Sequence, residues 1–279
     1  MKIANGMSSP EVLLWSELLV KMAMTAAVVV IVSVAVERSG PFIGALIAAL
    51  PTAAGAAYVI LAAEHPPSFI AASAIGSLAS SAGVAVFAAA YATLAQRHGL
   101  FVSLGVAIVL WFAVAAALRL VVWTPRSAIA LNAAVFAVTI PLCWRYRSSG
   151  PPRRFLRRAF DMPLRALAAA IVVAIVTTAS YRIGSFASGV FAVFPIVLCS
   201  SIVILHPRLG GPASASMLAH AQLALIGLSL GFLAVHYLAE RVGSWWALAL
   251  GLGVCIAWSG VLWAIRARKI TILPSRAAP

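Results

Sequence analysis

Long apolar runs follow one another along almost the whole chain, and they restrict the possible folds more than any other feature. Only 9% of the residues are charged, whereas 63% are hydrophobic. A soluble domain carries roughly 25% charged residues, so this chain cannot cover itself with polar groups. Runs of roughly 20 apolar residues are long enough to cross a bilayer as helices. The sequence predicts nine such spans, at about residues 13–36, 42–63, 68–95, 100–123, 127–144, 162–181, 185–205, 212–238 and 244–266.

The pattern within these runs favours helices over strands. A membrane β-barrel needs segments of roughly ten residues in which apolar and polar positions alternate, and the sequence contains no such alternation. The first run lacks the short apolar core and small-residue cleavage site of a signal peptide, so we expect it to remain as a helix. The expected fold is an all-α polytopic membrane protein.

The basic residues predict how the chain is oriented. The formal net charge is +14, and Lys and Arg mark the cytoplasmic side of membrane proteins; we therefore expect no nucleic-acid partner. The densest basic segment runs from Arg145 to Asp161. With this segment inside, nine spans put the N-terminus outside and the C-terminus inside. We expect anionic lipid headgroups to bind the basic segment, and the sequence leaves open whether the protein forms a homodimer.

Two stretches of the chain repeat one another at a distance of 144 residues. Residues 37–55 read ERSGPFIGALIAALPTAAG, and residues 181–195 read YRIGSFASGVFAVFP. This register aligns two arginines and two prolines: Arg38 with Arg182, and Pro51 with Pro195. Farther along the chain it aligns LAQRHG with LAERVG. Because rare charged residues, Gly and Pro share one register, we infer an internal duplication.

Each copy of the repeated unit contains four of the predicted spans, and the fifth span belongs to neither copy. The predicted parts are a first repeat at 12–123, a linking helix and basic loop at 124–155, a second repeat at 156–266, and a basic tail at 267–279. Since five spans separate the starts of the two repeats, we expect the second repeat to be inverted in the membrane. Inverted repeats are a recurring construction of secondary transporters.

The first unit has a basic residue at the start of its first span, an Arg before its second span, and the segment GALIAALPTAAGAAYVI. In this combination it resembles the GlpM family of small bacterial inner-membrane proteins. The resemblance covers residues 17–120 and, more loosely, the second half, where ASGVFAVFPIVLCSSIVIL keeps the proline. It implies a bacterial cytoplasmic membrane, a fused inverted pair in place of a dimer of small units, and an association with envelope or exopolysaccharide physiology. The resemblance does not indicate which biochemical activity the protein has.

The residues that could carry chemistry argue against an enzyme. All six acids map to helix ends or loops: Glu11, Glu17, Glu37, Glu64, Asp161 and Glu240. The three cysteines are widely spaced and form no CxxC pair: Cys143, Cys199 and Cys255. Without a nucleophile–base set or metal-ligand spacing, we expect no catalytic residue, metal or cofactor. An acid inside the bilayer commonly marks an ion pathway, so its absence favours a neutral, anionic or lipidic substrate, or a site built from backbone groups.

The two matched prolines are the leading candidates for a binding site. Each removes a helix hydrogen bond and frees a carbonyl group, which must be satisfied inside the protein or by a water-filled cavity. One interpretation is a simple kink. The other is a discontinuous helix in each repeat, whose half-helix ends face a substrate. Pro51, Thr52 and Pro195 are therefore predicted site residues.

Other polar residues complete the predicted site. Four of them are expected either to line a polar cavity or to act in helix packing: Ser77, Ser81, His220 and Gln222. His220 falls far enough into its span to need a partner on a neighbouring helix. Arg38 and Arg182 lie thirteen residues before their prolines, about 20 Å along a helix. We expect them near opposite faces of the membrane, either as interface anchors or at the two openings of a transport path.

The sequence thus predicts a transporter or lipid flippase-type protein for an anionic or amphipathic solute, with its site between the two repeats. The alternative is a non-transporting scaffold or subunit of an envelope or exopolysaccharide assembly. A cavity bounded by both prolines favours the transporter, whereas closely packed helices at the same place favour the scaffold.

Overall fold

The computed structural model describes residues 16, 19–25, 27, 52–147 and 161–272. Within these residues every regular element is an α-helix, which confirms the all-α prediction. Residues 19–25 are helical. They are followed by α1 (Thr52–Glu64), α2 (Pro67–Leu94), α3 (Leu100–Leu118), α4 (Pro125–Trp144), α5 (Asp161–Ala192), α6 (Ile196–Leu209), α7 (Gly211–Val242) and α8 (Ser244–Ile272).

Six of these helices are long and apolar enough to cross a membrane: α2, α3, α4, α5, α7 and α8. The protein is therefore a multi-pass membrane protein. Helices α1 and α6 have only 13 and 14 residues, and each is about 20 Å long at 1.5 Å per residue. Helix α6 is therefore too short to cross a hydrocarbon core of roughly 30 Å by itself, and so are the described residues of α1.

The predicted spans at 162–181 and 185–205 have different bounds in the structure. Helix α5 bends at Gly184, where φ is +79°, a backbone conformation that Gly adopts without steric cost. The chain then continues as helix to Ala192, stops, and starts again at Ile196. The part of α5 after the bend and α6 together cover the predicted span at 185–205, with the interruption between them. The interruption precedes the helix that Pro195 caps, and a proline disfavours helical conformation in the residue before it.

Hydrogen bonds between helices establish that α2 and α7 are antiparallel. The amide nitrogen of Gln222 donates to the carbonyl oxygen of Ala85 at 2.9 Å. Nδ1 of His236, which comes later in α7, lies 2.9 Å from the carbonyl oxygen of Ala71, which comes earlier in α2. We call the side of the bundle where α1 ends and α2 begins the first face, and the side where α2 ends the second face. Helix α7 therefore ends, and α8 begins, at the first face.

Helix α2 lies at the centre of the bundle. Its most apolar stretch is 83% buried, compared with 22% in α3 and 11% in α8. Small residues allow α5 to approach it closely: a Cβ atom added to Gly76 would overlap the backbone of Phe186, and one added to Gly189 would overlap the backbone of Ser73. Close packing of backbones through small residues is typical of helix pairs in membranes.

Two pairs of helices begin 144 residues apart, the same interval as the sequence repeat. The pairs are α2 and α7, and α3 and α8. A local contact also recurs, since Gly83 faces Trp111 and Gly227 faces Trp258. The division of the chain into two repeated units stays a prediction, and these shared starts agree with it.

Candidate functional site

The interruption between α5 and α6 lies inside the helix bundle. Before the interruption, the hydroxyl of Ser77 on α2 donates to the carbonyl oxygen of Gly189 at 2.7 Å. After it, Nδ1 of His206 lies 2.7 Å from the hydroxyl oxygen of Tyr91, near the other end of α2. From Gly189 to His206 the chain therefore progresses in the same direction as α2, from its middle towards its end. Together the two helical pieces form a discontinuous helix across the bundle, which is one of the two interpretations that the sequence left open for Pro195.

The first turn of α6 is not capped by a side chain. Its N-cap residue is Pro195, which makes no side-chain hydrogen bond to the helix, while its carbonyl oxygen accepts from the backbone N–H of Cys199 at 2.8 Å. The first N–H groups of a helix have no partner inside the helix, and the helix dipole makes this end positive. The beginning of α6 is therefore suited to face a negative or dipolar group.

A cavity of about 180 Å³ lies at this interruption. The beginnings of α1 and α6 and the middles of α2 and α7 surround it. Its lining residues are Thr52, Ala53, Ala54, Val84, Ala192, Val193, Phe194, Pro195, Val197, Leu198, Ala221, Ala224, Leu225 and Leu228. Ala53 also packs with Ile196 and Val197. The beginning of α6 and the first described residues of α1, which lie 144 positions apart in the sequence, are thus at one cavity.

The cavity wall is almost entirely apolar. Among the described residues that form it, only Thr52 has a polar side chain, and none is charged. A polar ligand in this cavity would therefore be bound by the hydroxyl of Thr52 and by backbone groups at the helix ends.

The structure brings two of the predicted site residues, Thr52 and Pro195, together at this cavity. Two others, Pro51 and Arg38, lie outside the described residues. Arg182 is exposed and lies just before the bend in α5, at the first face.

The predicted serines lie in a packed contact rather than at this cavity. Ser77 is fully buried, and because it donates to Gly189, it accepts the hydrogen bond from the hydroxyl of Tyr58 at 2.7 Å. Ser81 donates to the carbonyl oxygen of Ser77 at 3.0 Å, within its own helix. These contacts join α1, α2 and α5. A role of the two serines in substrate binding stays a prediction.

Gln222 belongs to a buried polar network that holds α4 against α2 and α7. The oxygen of its side chain accepts from Thr139 at 3.3 Å. About two helical turns away, the amide nitrogen of Asn132 donates to the carbonyl oxygen of Leu78 at 2.7 Å. The amide oxygen of Asn132 accepts from Ser229 at 3.2 Å. These amides have partners within the protein, as buried polar groups require.

The expectation that His220 faces a neighbouring helix is wrong. Its side chain is exposed on α7, and Nδ1 lies 2.8 Å from the carbonyl oxygen of Ser216 in the same helix. The position of a residue along a span indicates its depth in the membrane. In a helix that is apolar on every side, it does not indicate which side faces the protein.

A second polar cluster at the first face was missed by sequence reasoning because its members come from three separate segments. Nζ of Lys21 lies 2.9 Å from Oε1 of Glu64, and the exposed fractions of the two side chains are 7% and 19%. In the turn after α1, Nε2 of His65 donates to the hydroxyl of Ser180 at 2.8 Å, since Ser180 itself donates to a backbone carbonyl. The hydroxyl of Tyr181 donates to the carbonyl oxygen of Glu64 at 3.2 Å.

The imidazole of His65 lies in this cluster between two rings. The ring centre of Phe69 is 3.7 Å away, in a stacked arrangement, and that of Tyr181 is 4.3 Å away. Burial lowers the pKa of His65 below 6.5; the nearby carboxylate of Glu64 raises it, and the charge of Lys21 lowers it. The cluster joins the end of α1 to α5 just before the bend at Gly184.

Comparison of the chain with protein families, with curated proteins and with solved structures finds no match. The relationship to the GlpM family therefore stays a prediction that rests on the residues of the first unit.

Proposed function

We propose that this protein is an integral membrane transporter or flippase for an anionic or amphipathic solute, with its site at the cavity where α1 and α6 begin. One observation carries the proposal: the beginning of α6 and the residues 144 positions earlier, residues 52–54 of α1, lie at a single cavity within the bundle. Discontinuous helices that present their ends near the bilayer midplane are how many secondary transporters bind substrates and ions.

The contacts between helices support an inverted arrangement of two units. Helices α2 and α7, which occupy equivalent positions in the repeat, are antiparallel and pack against each other. The contacts of the outer helices are also matched, because α3 contacts α6 and α8 contacts α1. In such a pair each unit can adopt the arrangement of the other, which is the basis of alternating access.

The chemistry of the cavity supports a substrate without a positive charge. The uncapped beginning of α6 is the positive end of a helix dipole, and no acidic side chain is among the described lining residues. With about 180 Å³, the cavity suits a small polar group or part of a larger amphipathic molecule.

We also propose that the second face is cytoplasmic and that the membrane is a bacterial inner membrane. The basic segment that starts at Arg145 follows α4 at this face, and Lys and Arg accumulate on the cytoplasmic side. Anionic lipid headgroups would bind this segment. The orientation supports a C-terminus inside, since α8 runs from the first face towards the second.

The scaffold hypothesis remains the alternative, and the close packing of α2 on α5 favours it. The backbones of Gly189 and Ser73 are in direct contact, and the predicted serines Ser77 and Ser81 make their hydrogen bonds inside this packed region. A scaffold needs such packing and has no use for a cavity at the helix interruption.

A flux assay with the purified full chain in liposomes tests the proposal. Candidate anions and fluorescent phospholipids are loaded, and their movement is measured in the wild type, in Pro195→Ala and in the matched control Pro141→Ala. Pro141 lies inside α4 and is exposed, away from the cavity. We expect Pro195→Ala to lower flux by about tenfold or more, since misplaced site groups commonly cost this much, and Pro141→Ala to retain it. Absence of flux in the wild type, or equal flux in both variants, would contradict transport through this site.

A further inference from the structure

A larger cavity of about 370 Å³ lies between α1, α7 and α8. Its lining is mostly apolar and contains no charged residue. Of its polar side chains, Tyr58 is already bonded to Ser77 and Cys255 to Gly227, while Thr52 and Trp245 also line it. Gly231 and Gly251 bring the backbones of α7 and α8 together at its base, and a Cβ atom added to Gly55 on α1 would meet no atom within 4 Å. We call this space the α1–α8 groove.

The α1–α8 groove is open to the surroundings of the helices. Gly55 is exposed, and the exposed fractions of Trp245 and Leu252 are 57% and 42%. Trp245 lies at the beginning of α8, at the first face, where an exposed Trp is typical of the membrane–water interface. The groove therefore leads from this interface towards the interior of the bilayer, where its open side faces the lipid hydrocarbon.

The inner end of the α1–α8 groove reaches the cavity at the helix interruption. Thr52 and Leu228 line both spaces. A molecule held in the groove would therefore have its inner end beside the beginnings of α1 and α6.

The sequence at the base of the groove differs between the two halves of the chain. In the 144-residue register Gly231 corresponds to Phe87, whose side chain is fully buried. The contact one turn earlier is the same in both halves, since Gly83 faces Trp111 and Gly227 faces Trp258. The two helix pairs thus pack alike at that point and differ one turn later, where Gly231 allows α8 to approach α7 closely.

We propose that the α1–α8 groove binds one acyl chain of a membrane lipid, with the headgroup at the first face near Trp245 and the chain directed towards Thr52. This inference rests on the proposed function and narrows its substrate to an amphiphile that carries an acyl chain. The apolar lining, the exposure to hydrocarbon and the connection to the cavity are the observations that favour a lipid.

The volume of the groove, about 370 Å³, suits a flexible apolar chain as its occupant. The groove is more than twice the size of the roughly 150 Å³ cavity that holds a benzene molecule, which is enough for a segment of a flexible chain.

Photo-crosslinking with a defined lipid tests the proposal. The full chain is reconstituted in liposomes of phosphatidylethanolamine and phosphatidylglycerol with a trace of phosphatidylglycerol that carries a diazirine on its acyl chain. After irradiation, labelled peptides are identified by mass spectrometry. We expect the label to be concentrated on the residues of α1, α7 and α8 that line the groove.

Gly55→Leu fills the groove from α1, and Gly105→Leu is its matched control. Gly105 is exposed on α3, and a Cβ atom there also meets nothing within 4 Å. We expect Gly55→Leu to lower labelling of the groove about fivefold, because each chain carbon that leaves it loses its van der Waals contacts. Gly105→Leu should keep the wild-type labelling, and both variants should elute as the wild type does in size-exclusion chromatography.

The outcomes separate this inference from the proposed function. Even labelling of all lipid-facing helices in the wild type, or undiminished labelling in Gly55→Leu, overturns the acyl-chain site whatever the flux assay gives. Labelling that disappears in Gly55→Leu supports the site, and it does so even if Pro195→Ala leaves flux unchanged, in which case it is the transport proposal that fails.

Discussion

Two neighbouring parts of one interrupted helix, centred on Gly189 and Pro195, pack in opposite ways. At Gly189 the backbone of α5 touches the backbone of Ser73 on α2, and no side chain fits between them. At Pro195, six residues later, the chain borders a cavity of about 180 Å³. One helix thus combines a part fixed to the centre of the bundle with a part that begins at an open space.

The difference indicates where the molecule can change its arrangement. The piece of α5 after the bend is held along α2 by hydrogen bonds from Ser77 to Gly189 and from Ser80 to Val190. Helix α6 is bonded to α2 near its far end through His206, and no side chain caps its beginning. Because packed contacts resist continuous deformation, we expect movement to occur at the interruption and the contact at Gly189 to remain intact.

The largest effect is expected from a side chain placed in the packed contact. In Gly189→Val the new Cβ overlaps the backbone of Ser73, and neither backbone can move without separating α5 from α2. Overpacking of this kind costs about 3 kcal/mol or more when the neighbour cannot adjust. The measurement is the free energy of unfolding in mixed detergent micelles, together with the yield of monodisperse protein.

Gly253→Val is the control for this prediction. Gly253 is an exposed residue of α8 at which a Cβ atom meets nothing within 4 Å, so the change should stay within about 1 kcal/mol. Equal stability of the two variants would mean that α5 and α2 can separate freely, and the distinction between a fixed and an open part of the helix would be wrong.

The sequence predicts the interruption better than it predicts the packed contact. A proline acts on its own backbone and on the residue before it, so the place of the interruption can be predicted from the position of Pro195 in the sequence. The contact at Gly189 depends on Ser73, which is more than a hundred positions away. Nothing in the local pattern around either residue indicates that they meet.

The exposed face of α7 could not be predicted for a related reason. In a soluble protein, polar residues mark the side of a helix that faces solvent. Here hydrocarbon surrounds the bundle and the protein interior is equally apolar, so His220 and Gln222 looked alike in the sequence. The structure buries Gln222 and exposes His220. The all-α membrane fold, by contrast, follows from the length and apolarity of the runs alone.

An effect of intermediate size is expected from Ser77→Ala. The variant loses the hydrogen bonds to Gly189 and Tyr58 and leaves the buried hydroxyl of Tyr58 without this partner. We expect the free energy of unfolding to fall by about 1–2 kcal/mol. In Ser81→Ala only a bond within α2 is lost, so the expected decrease is about 0.5 kcal/mol or less.

This pair of variants also tests the predicted role of the serines. If Ser77 serves packing, its replacement lowers stability, and flux measured per folded molecule stays close to that of the wild type. Unchanged stability with a marked loss of flux in Ser77→Ala would instead make Ser77 a substrate-binding residue, and the region around Gly189 would then be part of the site.

The smallest effect is expected at the cluster that joins α1 to α5 at the first face. Burial lowers the pKa of His65, so the unfolded chain takes up a proton on this imidazole before the folded protein does. The contribution of His65 is therefore fully favourable above pH 6.5, and it is lost as the pH falls through the lowered pKa of the folded state.

The measurement is the free energy of unfolding between about pH 8 and about pH 5, where histidine titrates. His65→Gln should weaken this pH dependence more than His220→Gln, which removes an exposed imidazole from α7. Equal curves for the two variants would show that the imidazole makes no contribution to holding the end of α1 to α5, which would leave this role to the Tyr181 hydrogen bond.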